Sequence, residues 1–415
     1  MVVMKILMLG WELPPHNSGG LGVACLNLSH ALSKDGIDID FVVPYLAKHD
    51  NIRFMNILSA SNIPPTAMFG CGIYDSWFYD DYSTPNIKIP IAASPDQVSI
   101  REIQRIYINF VEKYLSSHTP DLVHAHDWLT FEAGILAKKK YNIPLIAHVH
   151  ATEFDRAGGN NGNPLVEEIE REGLMMADKI FAVSNITKNI IHEKYDIPLE
   201  KIDVVYNSID ESFLKEKYSL DNENYKYLES LKQKGYTIIS TVGRFTIQKG
   251  LTNFLHAAAK AIHKNPKLLF IFAGDGEEKN ELISLANELG ISKNVVFTGF
   301  IRGRLLRDIY SISDIFVMSS ISEPFGLTAL EAAHHGDVLI LTKQSGVSEV
   351  LRNSFLYDFW DEDKLANEIL AISESDELKK ALKDKTKSEY LKISWDDVAK
   401  KCVETYDKIY KNRKK

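Results

Sequence analysis

Glu323 and Glu331 bracket the run Glu323-Pro324-Phe325-Gly326-Leu327-Thr328-Ala329-Leu330-Glu331, which follows an apolar segment ending at Met318. If a helix starts near Gly326, Glu331 falls in its early turns and Glu323 stays in the preceding loop, so both carboxylates can face one crevice. An ionised carboxylate is the strongest acceptor a side chain offers at neutral pH, which suits the hydroxyls of a ribose or hexose. Paired carboxylates also serve glycoside hydrolysis. A second run separates these chemistries. Gly243-Arg244-Phe245-Thr246-Ile247-Gln248-Lys249-Gly250 sets two cations in a loop leaving a strand, where open α/β sheets bind ligands. Arg244 can fork onto phosphate oxygens and Lys249 adds a point charge, together neutralising a leaving diphosphate without a metal. Alone, these cations fit an ordinary surface loop equally well; beside the two carboxylates they favour transfer from a nucleotide sugar over hydrolysis.

A glycine-rich turn, Pro14-Pro15-His16-Asn17-Ser18-Gly19-Gly20-Leu21-Gly22, precedes an amphipathic stretch. Backbone N–H groups at a helix start favour negative charge, so a diphosphate could sit there. The turn matches neither the dinucleotide nor the Walker pattern, and many strand-to-helix turns need glycine for structure alone. His124-Ala125-His126-Asp127-Trp128 and His148-Val149-His150-Ala151-Thr152-Glu153 close two strands. Alternation puts His124 with His126, and His148 with His150, on common faces, a pattern that could hold a metal. Position at strand C-termini favours substrate contact instead, with His126, Asp127 and His150 at a cleft edge and His124 and His148 buried as structural residues. Asp361-Glu362-Asp363 resembles a metal-binding DxD, but it sits before a helical stretch, where acids suit the helix start, and reads as a surface turn. No metal is assigned.

These groups need elements to position them. Short aliphatic runs at residues 5–9, 39–43, 122–125, 145–149 and 179–183 alternate with amphipathic segments, which predicts a mainly parallel sheet covered on both faces. The polar stretch 219–234 then precedes a second series at 237–242, 268–273, 294–297, 315–318 and 338–342. The boundary therefore falls within residues 208–235. Residues 395–411 space Val398, Cys402, Val403, Tyr406, Ile409 and Tyr410 at helical intervals. Residues 51–99 read as strand-free, with Pro64-Pro65, Trp77 and many aromatics, and resemble a functional insertion near a cleft mouth.

A chain of 415 residues has room for two domains of about 200 residues each. Its apolar (45%) and charged (25%) fractions are those of a globular protein. The net charge of −8 gives no general attraction to nucleic acid or anionic lipid. Lys138-Lys139-Lys140 and Arg413-Lys414-Lys415 read as solvated faces. Cys25, Cys71 and Cys402 form no CxxC, excluding a disulfide framework or zinc knuckle and fitting a reducing cytoplasm. The apolar opening reads as a buried strand, and no run reaches the roughly 20 residues of a membrane span. The expectation is a cytoplasmic protein without integral membrane association.

Together the motifs resemble the retaining glycosyltransferases of the GT-B fold, especially the glycogen and starch synthase-like branch. The likeness covers nearly the whole chain: WELPPHNSGGLG resembles the amino-terminal glycine loop, HAHDW the acceptor-side motif, GRFTIQKG the diphosphate-binding Arg and Lys, and EPFGLTALE the motif with two glutamates. The resemblance implies an α/β architecture of two Rossmann-like domains facing a central cleft. Residues 1–210 would form the acceptor-side domain, completed by the helix 395–415, and residues 211–394 the nucleotide-sugar domain. It further implies that Gly19 and Gly20 approach the donor phosphate and sugar, that Arg244 and Lys249 hold the diphosphate, and that His150 lies beside the transferred sugar. Glu323 would contact that sugar, Glu331 the ribose, and His126 and Asp127 the acceptor. Two positions depart from the family: Asn17-Ser18 stands where synthases carry a Lys, and Lys343-Gln344-Ser345-Gly346 replaces a glycine pair. Ser345 and Gly346 could still offer backbone N–H groups to phosphate.

The implied reaction moves glucose from a nucleoside diphosphate glucose to an α-glucan with retained configuration. It needs no cofactor; the nucleotide sugar is a substrate. Alternatives are transfer of a hexose to another small or lipid-linked acceptor, a nucleotide-sugar epimerase, which would consume donor without acceptor, and a noncatalytic nucleotide-sugar binding protein. Phe300 to Arg304 is a base-side loop in this reading.

Overall fold

The computed structural model describes residues 4–16, 19–46, 49, 51–65, 99–209 and 223–413. Asn17, Ser18, Cys71, Trp77 and the rest of the insertion from 66 to 98, the start of the polar stretch after 219, and Lys414 and Lys415 lie outside the described residues. The chain divides into two compact units, Met1–Ser208 with Ser394–Lys415, and Ile209–Ile393.

In the first unit, β1 (Lys5–Leu9), β2 (Asp38–Val43), β3 (Asn56–Ser59), β4 (Leu122–His126), β5 (Leu145–Val149), β6 (Lys179–Ala182) and β7 (Ile202–Val204) form a parallel sheet in the order β3-β2-β1-β4-β5-β6-β7. Parallel strands are joined by crossover helices that cover both faces, so central strands must be apolar on both sides. Ile6 to Leu9 and every residue of β4 and β5 are accordingly buried. In β4 and β5 the positions that elsewhere would hold aliphatic side chains include three histidines. The β4/β5 register pairs Ala125 with Ala147 and His126 with His148, which brings the two histidine motifs side by side.

Residues 51–99 are not strand-free. Asn56–Ser59 is β3, paired from Asp40↔Asn56 to Val43↔Ser59. Its short sequence NILS carries no alternation long enough to mark a strand, and the Asn56 amide donating to Asp40 Oδ1 at 2.8 Å helps hold it at the sheet edge. The short edge strand β7 likewise has no clear sequence signal.

The helix Trp395–Arg413 packs on the helix Gly20–Lys34 in the first unit, burying Ala399, Cys402 and Tyr406 completely. Cys402 and Tyr406, four residues apart, lie on the face predicted from the apolar periodicity, and Ala399 extends it by one turn. Lys34 and Asp396 pair at the rim, 3.2 Å apart.

The second unit carries β8 (Thr237–Val242), β9 (Leu268–Ala273), β10 (Val295–Gly299), β11 (Ile315–Met318), β12 (Val338–Thr342) and β13 (Phe355–Tyr357), parallel, in the order β10-β9-β8-β11-β12-β13. Phe254 from the helix Leu251–Lys264 packs on Phe270 and Phe272 of β9, and Phe272 on Phe297 of β10. Burying each such ring contributes about 1.5–3 kcal/mol. Asp361 caps the helix Glu362–Ser373 by accepting from Lys364 N at 3.0 Å, while Glu362 and Asp363 pair with Lys260. The acidic triplet is a helix start. Among the described residues, no helix is long and apolar enough to cross a membrane.

Candidate active site

Two loops of the second unit are stitched together before any ligand is considered. The loop after β8 and the loop after β11 meet because Gln248 Nε2 donates to Ser322 O at 2.9 Å, Ile321 N to Gln248 O at 2.8 Å and Ser319 Oγ to Lys249 O at 2.8 Å. Gly250 makes the approach possible. Its φ is +60°, and a Cβ there would lie 2.4 Å from Ser319 O, so only glycine fits both conformation and space. Gly326, with φ +110°, turns the chain from the second loop into the helix Leu327–His335, as the sequence predicts.

This frame sets Lys249 Nζ 2.6 Å from Glu323 Oε2, which also accepts from Ser320 Oγ at 2.8 Å. Arg244, Lys249, Ser320, Glu323 and Thr328 line one cavity. The structure therefore brings together three of the sequence-predicted residues, Arg244, Lys249 and Glu323. Glu331 is not among the residues lining that cavity; its Oε2 accepts from Tyr310 Oη at 2.8 Å. Tyr310 is buried, stacked on His335, and its hydroxyl is pushed well above the usual range, first by burial and then by the Glu331 charge. It therefore stays a neutral donor to Glu331.

The loop Lys343 to Gly346 corrects an expectation. Ser345 N donates to Thr342 O at 3.1 Å and Gly346 N to Glu323 O at 2.9 Å, so neither N–H is available to a phosphate. The backbone of this loop instead forms a parallel bridge with Glu323, whose own N–H donates to Gln344 O at 2.9 Å. Ser345 and Gly346 hold Glu323 in place, a role that backbone pairing across distant loops conceals from the sequence.

In the first unit, the four histidines form a ladder. His124 stacks on His126 with centroids 4.4 Å apart, and His148 on His150 at 4.2 Å. Two lateral hydrogen bonds join the stacks: His124 Nε2 to His148 Nδ1 at 3.1 Å, and His126 Nδ1 to His150 Nε2 at 2.9 Å. Tyr406 Oη, from the C-terminal helix, lies 2.7 Å from His124 Nδ1. Burial favours neutral imidazoles, pushing His124 and His150 down to about 3 and His126 and His148 well below the usual range.

His124 and His148 are buried, as read from the sequence. The open-edge placement expected for His126 and Asp127 is not what the structure shows: both are buried, whereas His150 keeps part of its surface open. Asp127 turns its carboxylate onto the backbone, Oδ1 accepting from His150 N at 2.6 Å and from Ala151 N at 3.4 Å. It does so at φ +58°, ψ 172°, a backbone region that costs a non-glycine residue about 1–3 kcal/mol and is tolerated where surroundings impose it. Gly19 and Gly20 are exposed at the start of the helix Gly20–Lys34, and Gly19 N donates to Glu12 Oε2 at 3.1 Å.

The chain just after His150 is tied to a buried ion cluster. Arg156 Nε donates to Glu153 Oε2 at 2.8 Å, its Nη1 to Ala151 O at 3.1 Å and its Nη2 to Glu170, which also accepts from Tyr195 Oη. Thr152 and Asp155 close a reciprocal capping box. Arg156, Glu170, Gln248, Ser320, Tyr310 and Tyr406 escaped the sequence reading. Tyr310 and Tyr406 reach Glu331 and His124 from distant parts of the chain, Gln248 and Ser320 hold the loop that carries Glu323, and Arg156 and Glu170 tie down the backbone at Ala151 and Glu153; no local motif announces these contacts.

The family model described as Glycosyltransferase Family 4 matches residues 18–213, and that described as Glycosyl transferases group 1 matches residues 227–389. An uncharacterized glycosyltransferase of Methanocaldococcus jannaschii is 28% identical over 415 residues, covering 97% of this chain and 98% of that protein. Glycogen synthase of Mycobacterium tuberculosis is 26% identical over 362 residues, covering 84% of this chain and 80% of the synthase. The catalytic domain of starch synthase IV from Arabidopsis thaliana shares the fold with a TM-score of 0.71 at 16% identity, covering 99% of this chain and 100% of that one. Most of each parallel α/β unit falls within a glycosyltransferase match, and the chain is a glycosyltransferase of the GT-B type.

Proposed function

We propose that this glycosyltransferase moves glucose from a nucleoside diphosphate glucose to an α-glucan with retention of anomeric configuration. The observation that carries the reading is the Arg244–Lys249–Glu323 cavity, in which two cations and a carboxylate are held by loops already locked to each other. Such preorganisation lets charge be stabilised without reorganisation during reaction. Similarity to glycogen synthase supports the glucan acceptor, and the starch synthase IV structure carries ADP and acarbose, a nucleoside diphosphate and a sugar analogue.

In this reading Arg244 and Lys249 bind the donor diphosphate and offset the charge that grows as the bond from the anomeric carbon to the phosphate oxygen breaks. Glu323 accepts from hydroxyls of the transferred sugar, and Glu331, aimed by Tyr310, from the ribose. The acceptor hydroxyl attacks on the face the phosphate leaves, and its proton passes to the departing phosphate oxygen. In the first unit, Gly19 and Gly20 serve the donor phosphate and His150 the transferred sugar. His126 and Asp127 act on the acceptor side by fixing the ring and the backbone N–H of His150.

Proton NMR of the product made from an α-configured nucleoside diphosphate glucose and a maltooligosaccharide tests the reading. An α-linked product is expected. A β-linked product would overturn retention.

A further inference from the structure

Cys25 on the helix Gly20–Lys34, His126 at the end of β4 and His150 just after β5 converge within the first unit. The sulfur and one ring nitrogen from each histidine all lie within 4.8 Å of one another. Two further features favour a cation there. His126 Nδ1 and His150 Nε2 share a hydrogen bond of 2.9 Å, so one nitrogen of each ring already points into the space between them. His126 Nε2 and Asp127 Oδ2 are buried without a hydrogen-bond partner, an unusual cost in a folded interior.

We propose that Cys25, His126 and His150 form a Zn²⁺ site, and that occupation of this site silences transfer by engaging His150. The second clause rests on the proposed role of His150 at the transferred sugar; the first does not. One thiolate and two imidazoles are a donor set suited to Zn²⁺. With bonds of about 2.3 Å to sulfur and 2.0–2.1 Å to nitrogen, tetrahedral ligand atoms stand about 3.3–3.6 Å apart, so the sulfur draws in by up to about an ångström while the two ring nitrogens, 2.9 Å apart, open by about half an ångström. The Cys25 thiol gives its proton to solvent and binds as thiolate. The imidazole that donates in the His126–His150 hydrogen bond moves its ring proton to the other nitrogen, so both rings ligate in the neutral form. One proton leaves per ion bound.

Titration of the full chain with Co²⁺, a spectroscopic stand-in for Zn²⁺, tests the site. Expected is a thiolate-to-cobalt charge-transfer band that saturates at one equivalent, releases one proton per ion and disappears when Zn²⁺ is added. The band persists when Cys71 and Cys402 are both replaced by Ala, and is lost in Cys25→Ala. Cys25 takes no part in the proposed transfer, so Cys25→Ala retains transferase activity and loses inhibition by Zn²⁺. Absence of the band with Co²⁺ in excess, or its persistence in Cys25→Ala, overturns the site. Should Cys25→Ala fail to fold, cadmium NMR of the wild type reads the donor set directly: a shift typical of one sulfur and two nitrogens supports the site, and an all-oxygen shift overturns it. Zn²⁺ binding at Cys25 without inhibition overturns the silencing clause. Loss of transfer under every metal-free condition counts against the proposed function instead and leaves the binding result standing.

Discussion

Lys249 Nζ lies 2.6 Å from Glu323 Oε2, an ion pair made across two loops that a separate set of backbone and Gln248 hydrogen bonds already holds together. Because the scaffold does not depend on the pair, the charge can be removed without removing the frame. Lys249→Ala is expected to lower kcat by about 10²–10³, the cost of deleting one preorganised charge-stabilising group. Far-ultraviolet circular dichroism should remain that of the wild type. Near-normal turnover in this variant would assign the diphosphate to other residues.

Tyr310 donates to Glu331 at 2.8 Å from a buried position. A hydrogen bond to a charged group contributes about 1.5–3 kcal/mol, so Tyr310→Phe is expected to raise KM for the donor roughly tenfold or more. If Glu331 serves the ribose, kcat changes far less than KM. Steady-state kinetics against donor concentration separate the two; an unchanged KM would detach Glu331 from donor binding.

The sequence made most of both sheets legible, because a strand buried on both faces is mostly written as an apolar run, as at residues 6–9 or Leu268–Ala273. Edge strands such as β3, β7 and β13 are short and only partly buried, and they left no such mark. Arg244, Lys249 and Glu323 were legible as motifs and meet in one cavity. Ser345 and Gly346 were misread because a backbone N–H has no sequence signature for its partner. The pairing of Tyr406 with His124 spans 282 residues, and only the fold of the C-terminal helix onto the first unit reveals it.

Arg156 is fully buried between Glu153 and Glu170. Removing one member of such a cluster strands its partners' charge, which costs about 3–5 kcal/mol. Arg156→Leu should lower the unfolding free energy read from urea melts by that amount, moving the midpoint to lower denaturant. A shift below the error of the measurement would show that the two glutamates are neutral without Arg156.

His334 contacts Tyr390 Oη at 2.9 Å where the helices Leu327–His335 and Asp376–Tyr390 meet. Burial first, then His335 and Lys387, pushes its imidazole down to about 4. A histidine lowered in the folded state takes up its proton first in the unfolded state, so its contribution to stability is present above about pH 6.5 and is lost as pH falls toward 4. The slope is at most about 1.4 kcal/mol per pH unit, and partial exposure reduces it. His334→Gln should flatten the stability curve over that window in urea melts of the second unit. A wild-type and variant difference that does not vary with pH would contradict the assignment.

The central claim, sugar transfer from a nucleotide donor to a carbohydrate acceptor, is tested most directly by nucleoside diphosphate release from a panel of UDP-, ADP- and GDP-hexoses with and without glycogen. Expected is release from a preferred donor that depends on glycogen and is matched by hexose incorporated into it. Donor consumed equally without any acceptor, or donor bound across the panel with no release, would contradict the claim.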